Sequence, residues 1–277
     1  MLTFVEAISL AGERAKQNDD ALGFAGGCAW VIDGATDLDA APLSGAASDA
    51  SWLAHFANTY FHAHADSSDL RSLIEGASVE AREAFLRRAS GAPTERWKWP
   101  VASLVLCAEQ DEQLAGVHLG DCRVMALGAD GALLEGGAAP EQARSEARLA
   151  AQQKDGDKPL LRRTQTIAML RGMRARLNTE GGAWTFSLDP ACAQHAAMWT
   201  LRVHRPAHIL LASDGFTALC DRYGAYDSAG LVRAALAQGL QELGRELRAI
   251  ELADSGGARY PRFKASDDAT ALLLRLT

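Results

Sequence analysis

What the chain is short of limits what it can be. It has no excess of positive charge, since 28 Lys plus Arg stand against 35 Asp plus Glu, a formal net charge of −7. Nucleic-acid binding, which rests on cations neutralising phosphates, is therefore not expected. It has no apolar run near the ~20 residues of a membrane-spanning helix, so no membrane association is expected. The start, "MLTFVEAISLAGERAKQ", carries neither a basic leader nor a small-residue cleavage site. Cysteine is sparse and unpatterned: Cys28, Cys107, Cys122, Cys192 and Cys220 are odd in number and form no C-x-x-C pair. Cys28, Cys107 and Cys122 lie in apolar, strand-like runs, where a free thiol behaves as a small hydrophobe. All five are expected to be reduced, in a cytoplasmic protein. There is no internal repeat and no low-complexity tract.

What is present is enough for a large core. A chain of 277 residues, 48% hydrophobic, can bury roughly 75% of its unfolded surface. Apolar runs and alternation predict strands over residues 3–11, 21–24, 28–32, 102–108, 113–119, 123–127, 199–203, 208–212 and 270–276. Gly26-Gly27 reads as a hairpin turn. Helical spacing predicts a helix over 49–65, with Trp52, Phe56 and Tyr60 at i, i+4, i+8, and a second over 69–89. A long helix over 228–252 would place Leu236, Leu240, Leu243, Leu247 and Ile250 on one stripe. Residues 128–197 are the least regular. Strands, then helices, then strands, a helix and a last strand describe a layered α+β fold, not βαβ alternation.

Five acidic positions stand at the edges of apolar segments: Asp19 in "QNDDA", Asp33 in "VIDGA", Asp121 in "HLGDCRV", Asp214 in "ILLASDGF" and Asp267 in "SDDATALLL". One such aspartate alone is an ordinary turn or helix-cap residue. Strand-end carboxylates far apart in sequence are also what an oxygen-ligand metal site requires. Clustered, they repel, and burying them uncompensated costs several kcal/mol each. A hard divalent cation such as Mg²⁺ or Mn²⁺ offsets both penalties. The residues alone leave open whether Asp33 holds a metal or attacks a phosphate itself.

Taken in order, "RAKQNDDA", "VIDGATD", "ASLVL", "GDCRVMAL", "LASDGF" and "DDATALLL" resemble the ordered motifs of the type-2C metal-dependent protein phosphatases. The resemblance runs from residue 14 to 274. It implies one domain over 1–277, with a variable, flap-like region about 128–197, built as a four-layer α-β-β-α sandwich of two antiparallel sheets flanked by helices. It implies a protein serine/threonine phosphatase that hydrolyses phosphomonoesters with a metal-activated bridging water, two Mg²⁺ or Mn²⁺ ions and, in many members, a looser third. Carried over, Asp33 would bridge the metals and the Gly34 carbonyl would bind one of them. Asp214 and Asp267 would complete the coordination of the first metal, and Asp121 would serve the third site. Asp19 stands where the family has a metal-associated Glu, with Asp20 beside it; Asp268 follows Asp267 without an assigned role. Arg14 resembles the phosphate-clamping arginine. A phosphorylated protein is the implied substrate, and a cognate Ser/Thr kinase the implied partner.

The chain departs from the pattern after Asp33. Where the family has Asp-Gly-x-Gly-Gly, it reads Asp33-Gly34-Ala35-Thr36-Asp37. Some members carry His at x; with Ala35 there, leaving-group protonation falls to a water on the metal or to Asp37. Two other readings compete. A haloacid-dehalogenase-type phosphatase would use Asp33 as nucleophile but needs a second Asp at position 35, which is Ala. A pseudophosphatase would act as a binding or regulatory module. Finally, Arg162, Arg163, Arg171, Arg174 and Arg176 fall in one acid-free stretch. They read as a solvated helix face, or as a flap surface that meets acidic or phosphorylated substrate.

Overall fold

The computed structural model describes residues 1–13, 15–39, 41–66, 69–89, 91–137, 149 and 164–277. Two antiparallel sheets stack face to face. In the first, β1 (Leu2–Leu10), β11 (Ala269–Leu276), β10 (Ala207–Ala212), β6 (Arg123–Leu127) and β7 (Leu133–Gly137) lie side by side in that order. In the second the order is β2 (Ala21–Ala25), β3 (Cys28–Gly34), β4 (Val101–Gln110), β5 (Gln113–Leu119) and β9 (Ala197–Leu201), with β8 (Phe186–Ser187) against β4. Helices α1 (Asp49–His64) and α2 (Leu70–Arg88) cover the outer face of the second sheet. The outer face of the first is covered by α4 (Asp214–Asp221), α5 (Ser228–Gln238) and α6 (Leu240–Ala253). Helix α3 (Thr164–Arg174) stands over one end of the sandwich. The α-β-β-α layering is the one the motifs implied.

Strand β3 explains how a core strand delivers a carboxylate. Trp30 and Ile32 pack beneath α1 and α2. Ala29 and Val31 point the other way, against Val124, Ile209 and Leu272 of the facing sheet. The two-residue period therefore puts Asp33 on the inter-sheet side, just past the last apolar position. Its carboxylate lies at the mouth of the sandwich.

Two expectations need correction. The helix foreseen over 228–252 is two helices, because Gly239 takes φ +84° between them. An L side chain adopts that conformation only with strain. The Glu6 carboxylate then accepts from the Leu240 and Gln241 amides at 3.0 and 3.4 Å, capping α6. The stripe breaks with it: Leu240, Leu243 and Leu247 are buried, but Leu236 is 41% exposed. Residues 128–197, expected to be the least regular, also hold two strands that the sequence did not suggest, β7, which ends in Gly136-Gly137, and the short β8. Among the described residues no helix is long and apolar enough to cross a membrane.

Candidate active site

Strand register gathers acids from distant segments at one end of the sandwich. Ala21 of β2 faces Ile32 of β3, which sets Asp20 beside Asp33. Asp33 in turn faces Ser103 of β4. The β4–β5 pair ends at Leu104 and Leu119, and just beyond it Asp121 accepts a 2.5 Å hydrogen bond from Ser103 Oγ. Across the sandwich, β10 and β11 pair as far as Ala212 and Ala271. Their exits are tied together, with the Ser213 amide donating to the Thr270 carbonyl and the Thr270 amide to Ser213 Oγ, both at 3.0 Å. Asp214 opens α4 from that knot, and Asp267 precedes β11. Asp33, Asp121, Asp214 and Asp267 line one cleft of about 520 Å³.

The charges there are poorly compensated. Burial first, then Asp20, Asp214, Asp121 and Asp267, hold the Asp33 carboxyl well above the usual range. Burial also raises Asp121, against the Ser103 hydrogen bond. Asp267 goes the other way. Burial alone would raise it, but the Lys264 ammonium, 2.5 Å away, together with Arg222 and the Asp268 amide, keeps it below the ordinary range.

The two aspartates before β2 differ. Asp20 is 2% exposed, and neither carboxylate oxygen makes a hydrogen bond of good geometry, although the Thr270 and Ser213 side chains stand beside it. Burial and the charge of Asp268 push it up to about 7. Asp19 accepts from Ser48 Oγ and rises to about 6, chiefly through burial. Its backbone packs on Gly34 so closely that a Cβ there would lie 2.4 Å from the Asp19 carbonyl oxygen; only glycine allows the contact.

Asp268 and Asp37 act within the protein. Asp268 accepts from the Gly12 and Asp19 amides, each at 2.7 Å, and so staples the segment before β2. Asp37 accepts from the Asp49 and Ala50 amides at 2.7 and 3.2 Å, satisfying donors at the start of α1. Its oxygens thus face a helix terminus, and burial raises its carboxyl above the ordinary range. Arg14 lies outside the described residues, as do Arg162 and Arg163.

The opposite wall comes from α3 and the turn after it. Leu170, Met173 and Leu177 give it an apolar surface, with Arg174 and Arg176 at its edge. Arg171 does not line this cleft. Its Nε and Nη2 donate to the Leu38 carbonyl at 3.0 and 2.6 Å, and its guanidinium lies 4.0 Å over the Trp97 ring. Through these contacts Arg171 pins the loop following Asp33.

The same architecture recurs in solved structures of low sequence similarity. The Mycobacterium tuberculosis serine/threonine phosphatase PstP/Ppp matches 99% of this chain with 98% of its own, at TM-score 0.57 and 17% identity. PppA, a key regulatory component of T6SS in Pseudomonas aeruginosa, matches at 0.52 and 19%, over 99% of both chains. RsbX in complex with magnesium matches at 0.53 and 13%, over 100% of both. The fold is that of the PPM-type Ser/Thr phosphatases. No protein-family model matches the sequence, and no curated protein matches it either.

Within that phosphatase fold, the donor set suits a hard divalent cation. It offers carboxylates and the Gly34 carbonyl, and Asp20 supplies a buried carboxylate that makes no hydrogen bond of good geometry. Among the described residues, however, no three acid, His or Cys side chains already stand close enough to cage an ion. Asp121 is engaged by Ser103, Asp19 by Ser48 and Asp267 by Lys264. Sequence reasoning missed Ser103, Ser48 and Lys264. Ser103 was legible only through the β3–β4 register. Lys264 carried one faint signal, its place three residues before Asp267.

Proposed function

We propose that this chain is a Mg²⁺- or Mn²⁺-dependent phosphatase acting on phosphoserine or phosphothreonine in proteins. The observation that carries the proposal is the convergence of Asp33, Asp121, Asp214 and Asp267 on one cleft, backed by the buried Asp20. Asp33, Asp214, Asp267 and the Gly34 carbonyl would hold the cation, with Asp20 behind them; Asp121 would serve a further ion. Such ions, when bound, polarise phosphoryl oxygens and acidify water for attack on phosphorus. The protein's own part is positional. Ser103 orients Asp121, and the Ser213–Thr270 knot fixes the exits that carry Asp214 and Asp267. Leu170, Met173 and Leu177 thin the water above the acids, which strengthens the electrostatics below. Ala35 lines the cleft where a nucleophilic Asp33 would need a second acid. On this reading Asp33 would ligate the cation and would not attack.

The test is hydrolysis of p-nitrophenyl phosphate with Mn²⁺, Mg²⁺ or chelator. Turnover is expected with either metal and none in excess chelator; undiminished turnover in chelator refutes the proposal.

One observation favours the alternative of a binding module with little or no turnover. Lys264 Nζ places a built-in cation 2.5 Å from Asp267. A lysine there competes with a metal for the same carboxylate and repels it. We expect Lys264→Met to tighten Mn²⁺ binding, measured by calorimetry, by about tenfold or more, the scale of one partly buried ion pair. Unchanged affinity would show that Lys264 does not oppose the metal.

A further inference from the structure

Beside the acidic cleft lies a second, smaller cavity of about 190 Å³. Its charge is opposite. Arg82 of α2, Arg96 from the turn before β4 and Arg174 of α3 converge on it, with Trp99 as one wall and Asp189 as its one acid. Asp189 is already engaged, accepting from the Ala191 amide at 3.1 Å as the cap of a short helix. Among the described residues none of the three arginines forms a salt bridge. Arg96 Nη2 donates to the neutral Leu177 and Asn178 carbonyls at 3.4 and 2.9 Å. Arg174 Nη1 donates to the Ala35 carbonyl at 3.5 Å, and Asp37 is the acid whose charge it feels, without an ion-pair contact. The Arg82 guanidinium rests 5.4 Å from the Trp99 ring centroid, and Trp99 is itself held by a 3.1 Å hydrogen bond to the Pro93 carbonyl.

Three guanidinium groups around a cavity with room for several waters outnumber the one acid that lines it, Asp189, and Asp37 offsets Arg174 only from outside, so an entering anion is favoured. Stacked on a ring or bonded to backbone, they are preorganised, so binding an anion costs little side-chain ordering. The cavity also shares Arg174 and Leu177 with the acidic cleft, so one ligand can reach both.

We propose that this cavity is a second anion subsite, which takes an acidic or phosphorylated side chain lying next to the phosphoresidue of a protein substrate. The proposal rests on the phosphatase reading of the adjoining cleft. It assigns specificity to Arg82 and Arg96, which do not line that cleft.

Three phosphothreonine peptides test it: one with neutral flanks, one with a neighbouring glutamate and one with a neighbouring second phosphate. Each is assayed with Mn²⁺, and its binding is measured by calorimetry in excess chelator, on the wild type, Arg82→Gln, Arg96→Gln and Arg96→Lys. We expect the anionic peptides to show KM and Kd about tenfold below those of the neutral one, the scale of one charge-assisted hydrogen bond. Arg82→Gln and Arg96→Gln should remove that advantage while leaving kcat/KM on p-nitrophenyl phosphate unchanged, and Arg96→Lys should keep part of it. An advantage for the second phosphate alone assigns the subsite to phosphate; an equal one for glutamate assigns it to anions generally. Should no variant or metal support turnover, the phosphatase reading fails, and calorimetry in chelator still decides the subsite. Equal affinity for all three peptides, or an advantage that survives both Gln variants, overturns it.

Discussion

Asp33→Asn abolishes metal-dependent hydrolysis of p-nitrophenyl phosphate and at the same time raises the melting temperature of the metal-free protein. The loss is expected to reach about a thousandfold or more, as when a charge-stabilising group leaves an active site. Asparagine keeps the shape of the side chain, and the backbone pairing of residue 33 with Ser103 does not depend on the carboxylate. What it removes is a half-buried carboxyl whose ionised form is opposed by burial first and then by Asp20, Asp214, Asp121 and Asp267. Without a metal that charge is only a cost, so its loss stabilises the fold. The paired measurement, turnover with Mn²⁺ and melting in chelator, separates roles that one assay would confuse. Lost turnover with a lowered melting temperature would mean that Asp33 holds the fold together. Retained turnover would remove it from the chemistry.

Much of the fold was legible because two periodicities wrote it. Alternation in β3 separates Trp30 and Ile32 from Ala29 and Val31, and that split already implies two packed faces. Gly239 was harder to read. A glycine inside an apolar stripe is compatible with a continuous helix, and its break depends on Glu6, far away in the sequence. The acids were legible as strand-end positions but not in their partners. Nothing local distinguishes Asp19 from Asp20. The β2–β3 register buries the second, and Ser48 claims the first. Asp37 and Asp268 likewise look like site acids in sequence, yet their oxygens satisfy backbone amides of α1 and of the segment before β2. Arg171 shows the same limit from the cationic side. An arginine on an acid-free helix reads as solvated until the Leu38 carbonyl and the Trp97 ring appear beneath it.

The metal-free protein loses stability as the pH rises from about 5 to about 8, and Mn²⁺ or Mg²⁺ flattens that dependence. Asp20 is raised from 3.8 to about 7 and Asp19 to about 6, in both cases chiefly by burial. A carboxyl raised on folding makes the native state bind more protons than the unfolded chain. Its stabilising contribution is complete below about pH 4 and is lost as the pH climbs through the folded values. For Asp20, a rise from 3.8 to about 7 corresponds to about 4 kcal/mol between those limits. His118 and His208 pull the other way, since burial lowers both and favours folding as they lose their protons. They are outnumbered, because Asp33, Asp37 and Asp121 are also raised, chiefly by burial, and act in the same direction as Asp19 and Asp20. Asp267 and Asp254 are lowered, so their contributions change in more acidic solution, outside this window. Thermal melts in chelator across pH 5–8 should therefore slope downward, and Asp20→Asn should flatten the slope and raise the melting temperature at the alkaline end. A cation that binds the ionised cluster stabilises it by mass action, most where the cluster is most charged. A melting temperature in chelator that rises with pH, or one that Asp20→Asn leaves unchanged, would mean that the cluster is already neutralised from within. Lys264 is the group positioned to do that, and the double variant Asp20→Asn, Lys264→Met would then be the decisive comparison.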